Sequence, residues 1–574
     1  MAIYSSALPA IVLVLLVGAT CGFHANLYKL RSSRIIQMRT TDEGAGPRKG
    51  DSNSKSTAWR VYNIEVVLSN DPGKDDYSVH AELIEQLMKS LSAKDDVSIK
   101  KDQVTIVRKS FDGRWKKVGQ PKFVYTCDIN LTTEQCKKLK LRAIEGKIES
   151  INNLANKSTE TRSLATKPKV VIVGAGPAGL YCAIELVKNN ISPIIIERGQ
   201  PVEIRGRDIG KLFHRKMLDP NSNLCYGIGG AGTWSDGKLT TRIGKNSDDV
   251  RSVLQTLVDH GANPRILIDG KPHIGTDGLV RVLKDVRNEL TESGSEFKFS
   301  TIVTDVVIEG DRVKGVQLAS GEFIPADIVV LAIGHSSRDL YEKLIKKGLV
   351  IEVKPIAAGF RVEHPQNLIN KIQLGEFGSL CENGKGKVPV ADYKLATEVI
   401  VDDASNGGTR SVYSFCMCPG GQIVPTSVNP DELCVNGMSF SQRQSKWANS
   451  ALVVNVNPSD MQEVGGSSPF CGVLWQKTFE RKAAIAGGGN LVAPVQRVTD
   501  FLEGKIHTSS TPITSSYRMG VKEAACHEIY PAFITESKYI DILPSTHSLL
   551  LTHSYSLTLT HSQVLERRCI SLTG

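Results

Sequence analysis

The spacing of apolar residues changes along the chain, and each change marks an element. "RVYNIEVVLSN" (60–70) alternates in steps of two, and "DDYSVHAELIEQLMKSLSA" (75–93) sets its apolar residues three and four apart. "DQVTIVRKSFD" (102–112) and "PKFVYTCDINL" (121–131) return to alternation. These periods predict strand, amphipathic helix, strand and strand. Residues 58–140 therefore read as a small α/β domain of ferredoxin-like type. No paired catalytic groups stand out in it, so packing or docking is its preferred role. Residues 141–168, mostly "IESINNLANKSTETRSLATKPK", are polar and poor in large apolar side chains, which is the composition of a linker.

A different pattern opens at 169. "KVVIVG" is an uninterrupted apolar run, as expected of a parallel strand buried on both faces. "PAGLYCAIELVKNN" (177–190) follows as a helix with one apolar face, and "ISPIIIERG" (191–199) as a second strand ending at Glu197. Strand, glycines, helix, strand and terminal acid stand in the register of a dinucleotide-binding unit. Gly174 is expected to make the tight turn, Gly176 to let backbone approach a pyrophosphate, and Gly179 to let the helix lie close on the sheet. Pro177 and Ala178 start the helix, whose free N–H groups and dipole favour an anion. Glu197 is placed to accept hydrogen bonds from an adenosine ribose, with Arg198 beside it, and a carboxylate there disfavours a 2′-phosphate.

Further on, "EFKFSTIVTDVVIEGDRVKGVQLASGEFIPADIVVLAIG" (296–334) predicts two strands joined at "EGDR", a turn at "ASGE", and an apolar strand ending at Gly334. A β-meander in place of the next crossover resembles FAD-binding domains of the glutathione-reductase-like type, in which this strand end lies by the cofactor. No second strand–GxGxxG–helix unit follows, so one dinucleotide, FAD, is expected, with an external electron donor or acceptor. Between these landmarks "CYGIGGAGTWSDGKLTTRIG" (225–244) carries glycines at 227, 229, 230, 232, 237 and 244. So many glycines suit neither helix nor plain strand. The loop reads as a cofactor wall, with Gly229, Gly230, Ser235 and Gly237 as candidate contacts and Asp236 and Lys238 adding polar groups. The blander reading is a surface loop.

Totals change this picture little. A chain of 574 residues exceeds one ordinary core, and 41% hydrophobic with 23% charged residues is globular composition. The net charge of +10 comes largely from the stretch around Lys29, Arg31, Arg34, Arg39, Arg48 and Lys49 and from "KKLKLRAIEGK" (137–147). Arms and linkers of this kind argue against a nucleic-acid groove. Twelve cysteines without a C-x-x-C motif indicate reduced thiols and no metal site. At the start, "ALPAIVLVLLVGATC" (7–21) has the length of a signal core. The basic stretch that follows is free of acid until Asp42. Residues 1–57 thus resemble the two-part plastid leader of algae with secondary plastids; a secretory or mitochondrial address is the alternative. No membrane-spanning segment is expected in the mature chain.

Several segments together carry a resemblance: "VRKSFDGRWKK", "FVYTCDINL", "LDPNSNLCYGIGGAGTWSDGKLTTRIG", "SFCMCPGGQIVPTS", "NGMSFSQRQSKWANSALVVNV" and "AAIAGGGNLVAPVQRVTDFL". In this order they are similar to the FAD-dependent oxidoreductase family of uncharacterised NAD(FAD)-utilising dehydrogenases. The resemblance implies an α/β fold in which a Rossmann-like FAD domain (169–340) is interrupted by an inserted substrate domain (341–505) and resumes at 506–536. It implies hydride transfer between an unidentified small organic molecule and flavin. Lys238 and Arg361 are candidates for flavin carbonyl charge or an acidic substrate, and His335 for an acid or base. "CMCPGG" offers either a thiol pair trading electrons with flavin or a close-packed turn; the missing spacer residue favours the turn. "AGGGN" (486–490) is either an anion nest or a plain turn. Residues 537–574, with three Thr-His-Ser repeats, look foreign to the family's fold, so the flavin cover is expected to be incomplete and flavin binding weak. His547, His553 and His561 lack the acid or cysteine shell of a metal site. Two other functions stay open: a flavin-dependent RNA-modifying or RNA-binding protein, and a truncated, non-catalytic FAD fold.

Overall fold

A computed structural model describes residues 11–12, 57–92, 97–117, 119–151, 167–239, 248–310, 312–401, 408–506, 512–535 and 556–560. Apart from Ile11–Val12 and Thr57, the leader read at 1–57 lies outside the described residues, as do His547, His553 and His561. Two compact units emerge: Ala25–Thr159 with Leu267–Gly270, and Met1–His24 with Glu160–Ile266 and Lys271–Gly574.

The first unit is an antiparallel sheet of β1 (Thr57–Val67), β2 (Val104–Asp112), β3 (Lys122–Leu131) and β4 (Ile148–Ser150), in the order β2-β3-β1-β4. Helix α1 (Ala81–Ser90) covers one face through Leu83 and Leu87, as its periodicity predicts, and a short α2 (Thr133–Leu139) follows β3. Two boundaries differ from expectation. The linker begins later than 141, because Ile148–Ser150 pairs with Trp59–Val61 and belongs to the sheet. The sheet also takes in Leu267–Gly270: Lys109 N–H donates to Ile268 O at 2.9 Å, and Gly270 N–H to Lys109 O at 2.8 Å. A single extended pairing carries no period that a sequence window can detect. Buried Lys109 spends its three ammonium protons on Asp71 Oδ1, Gly73 O and Asp76 O, a structural use of a buried cation.

In the second unit, β5 (Val170–Val173) and α3 (Pro177–Lys188) lead to β6 (Ile194–Ile196) and α4 (Val202–Arg215). After α5 (Asp248–Asp259) and α6 (Thr276–Glu292) come β7 (Glu296–Lys298), the meander β8 (Val303–Glu309), β9 (Arg312–Leu318) and β10 (Phe323–Pro325), and then β11 (Ile328–Leu331). The parallel sheet runs β11-β5-β6-β7, with a two-residue strand at Ile11–Val12 beside β11. Strand parity divides the core. Val170 and Ile172 pack with α3 and α6, whereas Val171 and Val173 pack with the meander and α7 (Arg338–Lys346). Because Leu340, Leu344, Leu349 and Ile351 share that second cluster, this domain runs on past 340.

A seven-stranded sheet begins at β12 (Ile356–Pro365) and includes β13 (Ala396–Val401), β14 (Gly408–Cys418), β17 (Trp447–Val456), β18 (Ala493–Arg497), β19 (Val521–Glu523) and β20 (Ser556–Thr560); β15 (Gln422–Pro425) and β16 (Val435–Met438) pair separately. Its order is β13-β14-β17-β12-β20-β18-β19. Helices α8 (Gln366–Leu374), α9 (Pro458–Gly465) and α10 (Cys471–Gly487) accompany it, and one face packs Phe360 against Phe501 and Tyr530, with Trp475 and Phe479 of α10 beneath. Two expectations about the chain's end change here. The described residues of 506–536 do not return to the parallel sheet, since Tyr517, Met519, Ile529, Tyr530 and Ile534 complete the core begun at Ile356, so among the described residues the domain expected at 341–505 is not an insertion. The tail is not wholly foreign either, because Ser556–Thr560 fills the gap between β12 and β18 and pairs with both. Alternating "SLTLT" suits a strand whatever its origin.

Candidate functional site

The three glycines of the dinucleotide turn have three distinct reasons. Gly174 has φ +103°, and a Cβ there would lie 2.4 Å from Ala332 O at the end of β11. A Cβ on Gly179 would lie 2.0 Å from Gly174 O and 3.2 Å from Ile172, so α3 rests directly on β5. A Cβ on Gly176 would meet nothing within 4 Å. This glycine is not required by any protein neighbour, and it opens onto space at the N-terminus of α3, where no side chain caps the helix. An uncapped helix start behind an open glycine fits a pyrophosphate. Pro177 occupies the first helical position, where its missing N–H costs nothing, and Ala178 is buried on the packed face.

Glu197, at the end of β6, is buried and accepts three backbone N–H groups: Ala175 at 2.9 Å, Gly199 at 2.9 Å and Gly227 at 3.0 Å. The carboxylate thus ties the turn to the glycine-rich loop. Arg198 donates to Asp339 at 2.5 Å and lies over the Tyr226 ring at 4.6 Å. The loop itself leans on the turn, with Gly229 N–H donating to Ala175 O at 2.8 Å. A Cβ on Gly230 would approach Gly176 Cα to 3.4 Å. Ser235 serves the loop internally: its hydroxyl donates to Gly232 O and accepts from Gly237 N–H, holding Gly237 at φ +65°. Gly334 has φ +67° and open space around its Cβ position at the end of β11.

Lys238 and Arg361 meet at one feature, a bulge in β14. Phe415 pairs with Ala451 and Cys418 with Asn449, which leaves one residue too many between them, and Cys416 sits at φ +46°. Lys238 donates to Met417 O at 2.5 Å, and both terminal nitrogens of Arg361 donate to Cys416 O at 3.3 and 3.4 Å. Arg361 is fully buried, with its other contacts to Asn449 and Asn436 and no carboxylate in salt-bridge range among the described residues. Burial lowers the pKa of its guanidinium. Lys238 also lies 3.2 Å from Asp236 and 3.9 Å from the Cys418 sulfur. Burial alone would raise the Asp236 pKa, but Arg443 and Lys238 hold it well below the usual carboxylate range. The sulfurs of Cys416 and Cys418 are 3.8 Å apart.

His335 lies elsewhere, just past β11 and close to Arg338. Burial, aided by Arg338, pushes its pKa down to about 4, so the imidazole is neutral at pH 7. Sequence reasoning missed Arg205 and Arg443. Arg443 leaves no local mark, since it meets Asp236 only through the fold. Arg205 did leave one, because it falls on the apolar stripe of α4 with Val202, Ile209 and Leu212.

Residues 169–207 match a family described as an FAD binding domain, and residues 355–541 match the FAD-dependent protein, C-terminal domain-like family. A Clostridium beijerinckii protein described only as uncharacterized is 34% identical over 481 residues, 84% of each chain. Among solved structures, CtdE in complex with FAD and substrate 4 is 15% identical over 50% of this chain and 57% of its own, with a TM-score of 0.21. The fructosyl amine:oxygen oxidoreductase of Aspergillus fumigatus is 16% identical over 36% of this chain and 55% of its own, with a TM-score of 0.22. This chain thus spans little more than half the length of those two structures. The long match to the clostridial protein and the two matched domains show that the chain belongs to a family of FAD-dependent proteins, with FAD as its cofactor.

Proposed function

We propose that the protein transfers a hydride between a carbon of a small organic substrate and its flavin, with an external electron donor or acceptor completing the cycle. Bound FAD supplies the redox-active ring. The observation that carries the reading is the division of labour at Gly174, Gly176 and Gly179: two are required by packing, and the third opens onto space at an uncapped helix start. Gly174–Gly179 would hold the pyrophosphate, and Gly334, at the neighbouring strand end, would border the cofactor. Arg361 has its terminal nitrogens committed inside the protein, which supports a role in shaping the β14 bulge rather than in touching substrate. Lys238, a fifth exposed at its side chain, is the better candidate to face an acidic group. His335, neutral at working pH, is available as a hydrogen-bond acceptor or base.

The test is the visible spectrum of the purified protein, with flavin released and quantified, followed by anaerobic bleaching with panels of organic substrates. Near one FAD per chain and bleaching by at least one substrate class is expected. A folded, colourless protein that takes up no added FAD would sink the reading. Residues 1–57 fused to a fluorescent reporter should direct it to a plastid, and a secreted reporter would refute that address.

A further inference from the structure

Arg205 has no solvent exposure, and its guanidinium is spent almost wholly on the backbone of one loop. Its Nε donates to Asn223 O at 2.9 Å, Nη1 to Ile228 O at 2.7 Å and Thr233 Oγ1 at 3.2 Å, and Nη2 to Gly230 O at 2.9 Å. The Trp234 ring covers the guanidinium at 4.6 Å. Gly227 can pass only because it lacks a side chain, since a Cβ there would lie 2.4 Å from Arg205 Cδ. Burial lowers this guanidinium's pKa to about 10, with Glu197 opposing, so it stays charged at pH 7.

From the other side, Glu197 accepts the N–H groups of Gly227, Gly199 and Ala175. The division follows from chemistry, because a guanidinium only donates and a carboxylate only accepts. A loop with glycines at 227, 229, 230 and 232 loses more backbone entropy on ordering than any other composition and has few side chains with which to order itself. Something outside the loop must hold it, and these two buried charges do so. Through Gly229 N–H to Ala175 O, the loop is then fixed against the turn.

We propose that Arg205 is a positioning residue for FAD, which together with Glu197 clamps the 223–233 loop against the Gly174–Gly179 turn before the cofactor arrives. Order supplied in advance is order that binding need not provide, and affinity rises accordingly. The proposal rests on the reading that FAD sits at that turn.

The test combines hydrogen exchange of the apoprotein with FAD titration by flavin fluorescence, on the wild type, Arg205→Lys and Thr233→Val. One ammonium cannot reach carbonyls at 223, 228 and 230 together, so Arg205→Lys keeps the charge and loses the fork. Peptides over 223–233 should be protected in the wild-type apoprotein and exchange at least tenfold faster in Arg205→Lys, while the seven-stranded sheet stays protected. The Kd for FAD should rise at least tenfold in Arg205→Lys and severalfold in Thr233→Val. Should Arg205→Lys fail to fold, Thr233→Val decides by the same two readouts. Folded variants that bind FAD like the wild type, or a wild-type loop protected only after FAD is added, would overturn the clamp and leave the site intact. A wild type that binds no FAD overturns both.

Discussion

At the scale of single residues, two glycines three positions apart should respond in opposite ways. Gly179→Ala places a methyl 2.0 Å from Gly174 O, against backbone that cannot move aside, and should destabilise the apoprotein by about 1–3 kcal/mol. Gly176→Ala meets no protein atom within 4 Å, so its melting temperature should match the wild type while its Kd for FAD rises about tenfold or more. Thermal melts and FAD titrations on both variants check this; equal affinity for Gly176→Ala and wild type would place the pyrophosphate elsewhere. His335 makes a separate prediction. In the unfolded chain an imidazole titrates near 6.5. In the fold, burial and Arg338 bring it to about 4. A base with a depressed pKa contributes full stability above its unfolded value and loses it as pH falls from about 6.5 to about 4, because only the unfolded state then binds the proton. The His335 signal in a ring-labelled protein, assigned with His335→Asn, should therefore titrate near 4, and a midpoint near 6.5 would refute the site's description.

Among elements, the tail strand is the most exposed to test. β20 pairs on both sides, Thr558 standing opposite Arg361 on β12 and Val495 on β18. Proline cannot donate to a ladder, and an interior strand tolerates it poorly. Thr558→Pro should lower the melting temperature by several degrees, and ending the chain at 536 should leave β12 and β18 as open edges that promote self-association. Unchanged melting and monomeric behaviour in both would mean the strand adds nothing. The elements themselves were largely legible. The β5–α3–β6 unit reads from its periods because a strand buried on both faces and a helix buried on one leave different spacings. The meander reads from its turns. The bulge at Cys416–Met417 was not legible, because it exists only in the register between β14 and β17.

Across the whole molecule, sequence neighbours and fold neighbours part company. Leu267–Gly270 lies between two helices of the dinucleotide domain but belongs to the other compact unit, in which Tyr77 donates to Asp269 at 2.6 Å. A Cβ on Gly270 would lie 2.0 Å from Ser110 Oγ. Gly270→Ala should therefore lift this segment off β2, with faster hydrogen exchange at Lys109 and a loss of about 1–3 kcal/mol. Wild-type exchange at β2 would show that the segment is dispensable.

The sequence by itself determined the dinucleotide unit, the meander and the small α/β domain, because each rests on local spacing, and its resemblance to FAD-binding domains implied the cofactor. Glycines needed for close approach and side chains needed for a buried face are chosen within a few residues of where they act. Only the tertiary structure decided which charges meet. Arg443 reaches Asp236 across 207 positions, Lys238 reaches Met417 across 179, and the apolar residues between Tyr517 and Ile534 fill a core begun at Ile356. A buried ion pair or a bulge carbonyl is an agreement between distant segments, and neither partner's neighbourhood carries its trace.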